Sequence, residues 1–424
     1  MPTTTRKLLL RLLAILLSLA VVAAACGSDD DEAADGADDT TATDEGDAGD
    51  EEPAATTTAA PDDAMEDEDA MEDEEDAPAE DGCAENGLTD PSDFSATRTI
   101  ARCEPGFPAP QPLAERQTVR LANRFRAEFV APILLAEHYG LFDEENIDVE
   151  WVELSLTDSM VPLDDCSVDF AIGGTEASFH NGVAQGLDVR MVLGNYFPPD
   201  AGDITTAQTG LWARRDVFSD PANPDIAELK GARVASAVGL GSVVIYPVAQ
   251  AFDQAGFSLL DMEFEQISSA EHFIALENDA VQAAWMLDPY WIEAAADPDN
   301  YVLLVTQTPG EPLGGVYAGP CVRNGDRQEA GLAFVRAYIR AINTYLPPDY
   351  QDDAAVMEAL AEETGAPVES LIETPGLYFD WEMRTNTSQN AQQYFIEFDT
   401  VEYEDVLSDE EVMDRSMYET AVGG

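Results

Sequence analysis

Apolar and polar positions divide this chain into four stretches. The first is an apolar core from Leu8 to Val22, with Arg6, Lys7 and Arg11 at its start and Ala23-Ala24-Ala25-Cys26 at its end. The second, Gly27 to Gly82, is almost free of large apolar residues. The third, from Ala84 to Gln117, is rich in Pro, Gly and polar residues and predicts an irregular lead-in. From there short apolar runs alternate with amphipathic segments, the pattern of an α/β protein with mostly parallel sheets. Strands are predicted at Val119–Ala122, Ile147–Leu154, Phe170–Ile172, Val189–Leu193, Leu211–Ala213, Arg233–Ala235, Glu263–Gln266, Ala284–Leu287, Val302–Val305 and Val316–Val322. Helices are predicted at Pro132–Tyr139, Glu176–Gln185 and Ser242–Gln254, then at Gln328–Tyr345, Ala354–Glu363 and Met383–Phe395. No repeat of solenoid period is present.

The Leu8–Val22 core falls short of the roughly 20 apolar residues that a membrane span requires. A basic start, an apolar core, small residues and a cysteine predict a bacterial lipoprotein signal, residues 1–25, cleaved ahead of Cys26. The Cys26 thiol and the new amine would then carry acyl chains. Two or more chains anchor stably, since each buried CH₂ contributes about 0.8 kcal/mol. The expected location is the outer face of the cytoplasmic membrane.

Charge sharpens the second stretch. Gly27–Gly82 holds 26 Asp and Glu and no Lys or Arg. Such a segment buries too little surface to offset the entropy of ordering, and like charges extend it. Residues 26–82 are expected to form a disordered acidic linker. The chain after Gly82 is acidic too, with 59 acidic against 17 basic residues, about −42 in all. Nucleic acid is excluded as a partner, because binding it needs many Lys and Arg contacts to phosphate. Lysine occurs only at Lys7 and Lys230, and an acid-rich, lysine-poor surface suits high salt, which screens self-repulsion.

Cys83, Cys103, Cys166 and Cys321 can form disulfides outside the cytoplasm, but their spacing allows three pairings and selects none. No metal-ligand spacing is present, and no cofactor is expected. His138, His180 and His272 lie on predicted helices, and no nucleophile elbow occurs.

Four blocks, in order, resemble the periplasmic substrate-binding proteins of ABC importers for nitrate, sulfonates, taurine and thiamine-precursor pyrimidines. They are Pro132–Phe142 leading to Ile147–Glu150; Val168–Gly174 followed by Gly186–Val189; Leu229–Ala235 followed by Gly239-Leu240-Gly241-Ser242; and Ala284–Tyr290, similar to a "W-D-P-Y" stretch. Cys166-Ser167 departs from the Gly-Glu pair usual before the Asp. The likeness covers about Val119 to Asn324. It implies a two-lobed type II periplasmic-binding fold, each lobe a mostly parallel sheet flanked by helices. The expected organisation is a lead-in over 83–117, lobe 1 over 118–210, lobe 2 over 211–315 and a return to lobe 1 over 316–424. Strand crossings are expected near Thr209–Ala213 and Val316–Cys321. The implied function is capture of a small anion between the lobes by a monomer, without chemistry, and delivery to an ABC permease. A pyrimidine or other planar heterocycle is the alternative ligand. A pyrimidine-synthesis enzyme of the same fold would require a histidine in the cleft, which only His180 could supply.

Ligands of open α/β sheets bind beyond the carboxyl ends of strands. The candidates there are Asn123, Arg124, Phe125 and Arg126 after the first strand, where arginine forks suit oxyanions. Gly174 and Thr175 open the helix after the third strand, and Glu176 beside them would meet an amine. Gly241 and Ser242 form the matching helix start in the second lobe. Trp285, Asp288 and Tyr290 offer an aromatic wall, and Tyr196 is a further candidate.

Overall fold

A computed structural model describes residues 88–100, 103–198, 208–287 and 290–423. The predicted signal, Cys26, the acidic linker, Cys83 and Asp288 lie outside the described residues.

The described chain starts with a lead-in held by hydrogen-bonded turns. The first lobe then begins with β1 (Gln117–Ala122), α1 (Ala131–His138), β2 (Ile147–Val152), α2 (Leu156–Asp164), β3 (Phe170–Gly174), α3 (Ala177–Ala184), β4 (Arg190–Gly194) and the short β5 (Tyr196–Phe197). The second lobe contains β6 (Gly210–Arg214), β7 (Arg233–Ser236), α4 (Tyr246–Gln254), β8 (Glu263–Gln266), α5 (His272–Glu277), β9 (Ala283–Met286) and β10 (Tyr301–Thr306). The chain returns through β11 (Gly314–Ala318), α6 (Gln328–Tyr345), α7 (Ala354–Thr364), β12 (Tyr378–Phe379), α8 (Thr387–Glu397) and α9 (Ser416–Gly423).

Two five-stranded sheets result, in the orders β2-β1-β3-β11-β4 and β10-β6-β9-β7-β8. In the first, β1 runs parallel to β2 and β3, while β11 runs against β3 and β4. In the second, β7 runs parallel to β8 and β9, while β6 runs against β9 and β10. Each sheet thus has one reversed strand, and in each case it is the strand that follows a passage from the other sheet. The return passage comprises residues 307–313, between β10 and β11.

Sequence patterns explain the placement of strands. Phe170, Ala171 and Ile172 are buried on both faces, as a central strand requires. In β2 the polar Asp148 and Glu150 alternate with apolar neighbours, which suits its edge position. Helix α6 is buried along most of its length, and its Phe334 stacks on Phe170 with centroids 4.3 Å apart.

Three predicted elements end or begin elsewhere. The helix expected from Ser242 starts at Tyr246, after a 3-10 turn over Val243–Ile245, so Gly241 and Ser242 do not form its first turn. The strand expected to reach Val322 stops at Ala318, because Pro320 opens a short helix, Pro320–Arg323. The helix expected from Met383 starts at Thr387, since Asn386 is left-handed (φ 63°) and Arg384 is fully buried, bonded to Asp380 and the Asp90 carbonyl.

Cys166 pairs with Cys321, joining the turn before β3 to the short helix after β11; Cys103 is disulfide-bonded as well. The 166–321 bond closes a loop that contains the whole second sheet.

Candidate functional site

The loops after β3 and β7, which belong to different lobes, meet. The Ala177 N–H at the start of α3 donates to the Gly241 carbonyl at 2.8 Å, and Glu176 forms a β-bridge with Ser242. Only glycine permits this approach at position 241, where a Cβ would stand 2.9 Å from that of Ala177. The first N–H of α3 is therefore taken by the opposite lobe and is not open to an oxyanion. Thr175 is buried with its hydroxyl beside that of Tyr317, which donates to the Gly174 carbonyl at 3.1 Å.

The loop after β1 is held from within. The Asn123 side chain is buried, donating to the Ile172 carbonyl at 3.3 Å and accepting from the Phe125 N–H at 2.6 Å. This fixes Arg124 and Phe125 in exposed positions, with the Arg124 guanidinium carbon 5.2 Å from the Phe125 ring centroid. Arg126 is committed elsewhere. It binds Glu137 at 2.8 Å, pairs with Glu363 and lies 4.7 Å over the Trp151 ring.

Trp285 is fully buried in the core of the second lobe, among residues such as Leu211, Val234 and Phe252. Its indole N–H has no hydrogen-bond partner among the described residues. Tyr290 is exposed beyond the end of β9. Tyr196 sits in β5, paired with Phe379 of β12, and its carbonyl accepts from Leu313 N–H in the return passage.

Charge at the meeting of the lobes is mixed. Burial pushes the Glu176 carboxyl upward, partly offset by the Arg124 guanidinium. His180 is completely buried one turn along α3; its Nδ1 faces the Glu176 carbonyl at 2.9 Å and Nε2 has no partner among the described residues. Burial pushes its pKa down to about 4, so the ring is neutral at pH 7.

Two residues of this region and one helix were not among the sequence candidates. Glu311, on the return passage, is largely buried, accepts a hydrogen bond from Asn390 of α8, and is pushed upward in pKa by that burial. Tyr246, at the start of α4, lies close enough to feel its charge. Helix α8 itself touches both lobes: Phe395 packs with Ala177 and Val243, and the Tyr394 hydroxyl donates to Asp253 of α4 at 2.9 Å. Nothing local distinguishes Glu311 among so many acidic residues; only the crossing geometry does.

No family model and no curated protein matches the chain. Solved structures do match in fold. A ligand-binding component of an ABC-type import system from Staphylococcus aureus, with zinc bound, is 11% identical, covers 72% of this chain and 99% of its own, and gives a TM-score of 0.55. The alkanesulfonate-binding protein SsuA from Xanthomonas axonopodis, bound to MOPS, is 20% identical over 71% of this chain and 99% of its own, with a TM-score of 0.50. The nitrate-binding protein NrtA from Synechocystis is 14% identical over 73% and 89%, with a TM-score of 0.51. The chain thus has the two-lobed periplasmic-binding fold, and its neighbours named here are binding proteins.

Proposed function

We propose that this chain is an extracytoplasmic substrate-binding lipoprotein of an ABC importer. It captures a small solute between its lobes as a monomer and hands it to a membrane permease, breaking no bond. One observation carries the reading: the loops beyond β3 and β7, at the carboxyl ends of strands in two separate sheets, close on one another at Ala177 and Gly241. The likeness in fold to sulfonate- and nitrate-binding proteins supports it.

Within that reading, the Glu176 carboxylate beside the Arg124 guanidinium favours a zwitterion of the taurine type over a bare anion such as nitrate. Arginine would meet the sulfonate and glutamate the amine. The start of α3 contributes less than a free helix terminus would, because its first N–H is already bonded. Exposed Phe125 and Tyr290 would instead suit stacking on a planar heterocycle. The burial of His180 supports a carrier over an enzyme that needs a histidine exposed to its substrate.

A thermal-shift screen of taurine, alkanesulfonates, nitrate and pyrimidines tests the assignment. A ligand at 100 times its Kd adds about 2.7 kcal/mol of stability. Taurine is expected to raise the melting temperature of the native chain and to do so much less in Arg124→Ala and Glu176→Gln. A shift with pyrimidines alone would overturn the zwitterion assignment. Membrane anchoring is tested separately, since Cys26→Ala is expected to release the protein from membranes.

A further inference from the structure

We infer that residues 94–98 of the lead-in form a strap that holds the joint between the lobes in its closed arrangement. This segment belongs to neither sheet, yet it packs on the passages that connect them. On the return passage, Gly310 adopts φ +79°, and a Cβ there would lie 2.0 Å from the Phe94 carbonyl oxygen and 2.9 Å from the Ala96 nitrogen. The lead-in backbone thus lies directly against residue 310.

Arg98 completes the strap. Its side chain is buried, with Nη1 donating to the Gly310 carbonyl at 2.5 Å and Nε to Asp380 Oδ2 at 3.0 Å. Its guanidinium carbon lies 3.4 Å from the ring centroid of Phe197, at the end of the first lobe's outgoing chain. The two passages also bond to each other beside it, Gly310 N–H to the Pro198 carbonyl at 2.9 Å. One guanidinium therefore touches the chain leaving the first lobe and the chain coming back to it. Opening a two-lobed protein changes backbone torsions in a few connecting residues. Any such rotation about residue 310 must break the Arg98 bond or drag the lead-in with it.

Asp380 anchors the strap to the first lobe. It also binds Arg384 at 2.5 Å, and Arg384 in turn binds Glu382 at 3.0 Å and the Asp90 carbonyl at 2.9 Å. Thr385 N–H donates to the Pro91 carbonyl at 2.8 Å. The lead-in is thereby fixed to the first lobe at residues 89–91 and to the joint at 94–98. The inference rests on lobe movement and not on the identity of the ligand.

The test is an interlobe distance measured without any ligand. Spin labels at Val161→Cys on α2 and Ile274→Cys on α5, both exposed, report on the two lobes in the full chain. Arg98→Met with Asp380→Asn removes the strap bond while keeping the buried charge balanced through Arg384 and Glu382. Gly310→Ala pushes the lead-in off the passage without touching any charge, and it decides the matter if the double variant does not fold. Both changes are expected to shift the distance distribution to longer, broader values. Distributions that superimpose on the strapped chain, even with a lowered melting temperature, would overturn the strap and leave the solute-binding proposal untouched.

Discussion

The two lobes share a sheet topology but are stabilised differently. The first builds one continuous apolar core that runs from β1 through α6 to α9. The second divides its smaller core into separate clusters, one around Leu211, Val234 and Phe252 and one around Trp212, Leu276 and Trp291. Their charges differ in the same sense. In the first lobe Glu145 is fully buried between Arg336 and Arg340, at 2.6 and 3.2 Å. Asp169, also buried, binds Arg120 at 3.1 Å and pairs with Arg327. Among the described residues, the ion pairs of the second lobe, such as Lys230 with Asp261 at 3.0 Å, reach solvent. A chain with so few cations has placed most of its arginines inside the lobe that carries the lead-in and the C-terminal helices. The first lobe is the frame, and the second hangs from it by two passages.

The largest effect should come from breaking that internal charge. Glu145→Gln leaves Arg336 and Arg340 buried without their carboxylate, and loss of one partner of a buried pair costs about 3–5 kcal/mol. Denaturant unfolding is expected to show that loss, while Lys230→Met, at the exposed pair, leaves the midpoint unchanged. Equal effects from both substitutions would dissolve the distinction between the lobes.

Next is the Cys166–Cys321 bond, which spans 155 residues. Replacing both cysteines by serine should cost about 2–5 kcal/mol, since closing a long loop restricts the unfolded chain. A comparison of hydrogen exchange before and after the change sharpens the contrast. Protection is expected to fall most around β3 and β11, the strands beside the bond, and least in β7 and β8.

Much of this frame was legible in the sequence, and the reasons are physical. The predicted bounds Glu263–Gln266 and Gln328–Tyr345 match the structure to the residue, through two-residue alternation in a largely exposed β8 and a 3.6-residue period in α6. The loops after β1, β3 and β7 followed from where strands end. What escaped depends on partners distant in the chain. Arg126 stood beside Arg124 as an equal candidate until Glu363, 237 residues away, claimed it. Trp285 lies on a strand whose four residues are all buried, so alternation could not tell core from cleft. The pairing of Cys166 with Cys321 is fixed by the β3–β11 register, which no local pattern encodes. The lead-in read as irregular, and it is; its packing on Gly310 is a tertiary fact.

Two titrating groups on α3 sharpen the comparison at the boundary of the lobes, with opposite signs. His180 is depressed to about 4 by burial, so the unfolded chain binds its proton first as pH falls from about 6.5. Stability that is complete above pH 6.5 is therefore lost progressively on acidification toward about 4. His180→Gln is expected to flatten the melting-temperature profile across that window, and an unchanged slope would show that the ring is hydrated.

Glu176 works the other way and should give the smallest effect. Its carboxyl is raised by burial, so the folded chain holds its proton more tightly than the unfolded chain does. Ionised at pH 7, it opposes folding, and that cost is relieved as pH falls through its raised pKa toward the usual glutamate range. Glu176→Gln is thus expected to melt slightly higher than the native chain at pH 7, with the gap closing on acidification. On the proposed function, a bound amine would offset that cost beside Arg124. If Glu176→Gln instead melts lower at pH 7 and binds taurine as before, the carboxylate serves the fold and not the ligand, and the zwitterion assignment fails at this residue.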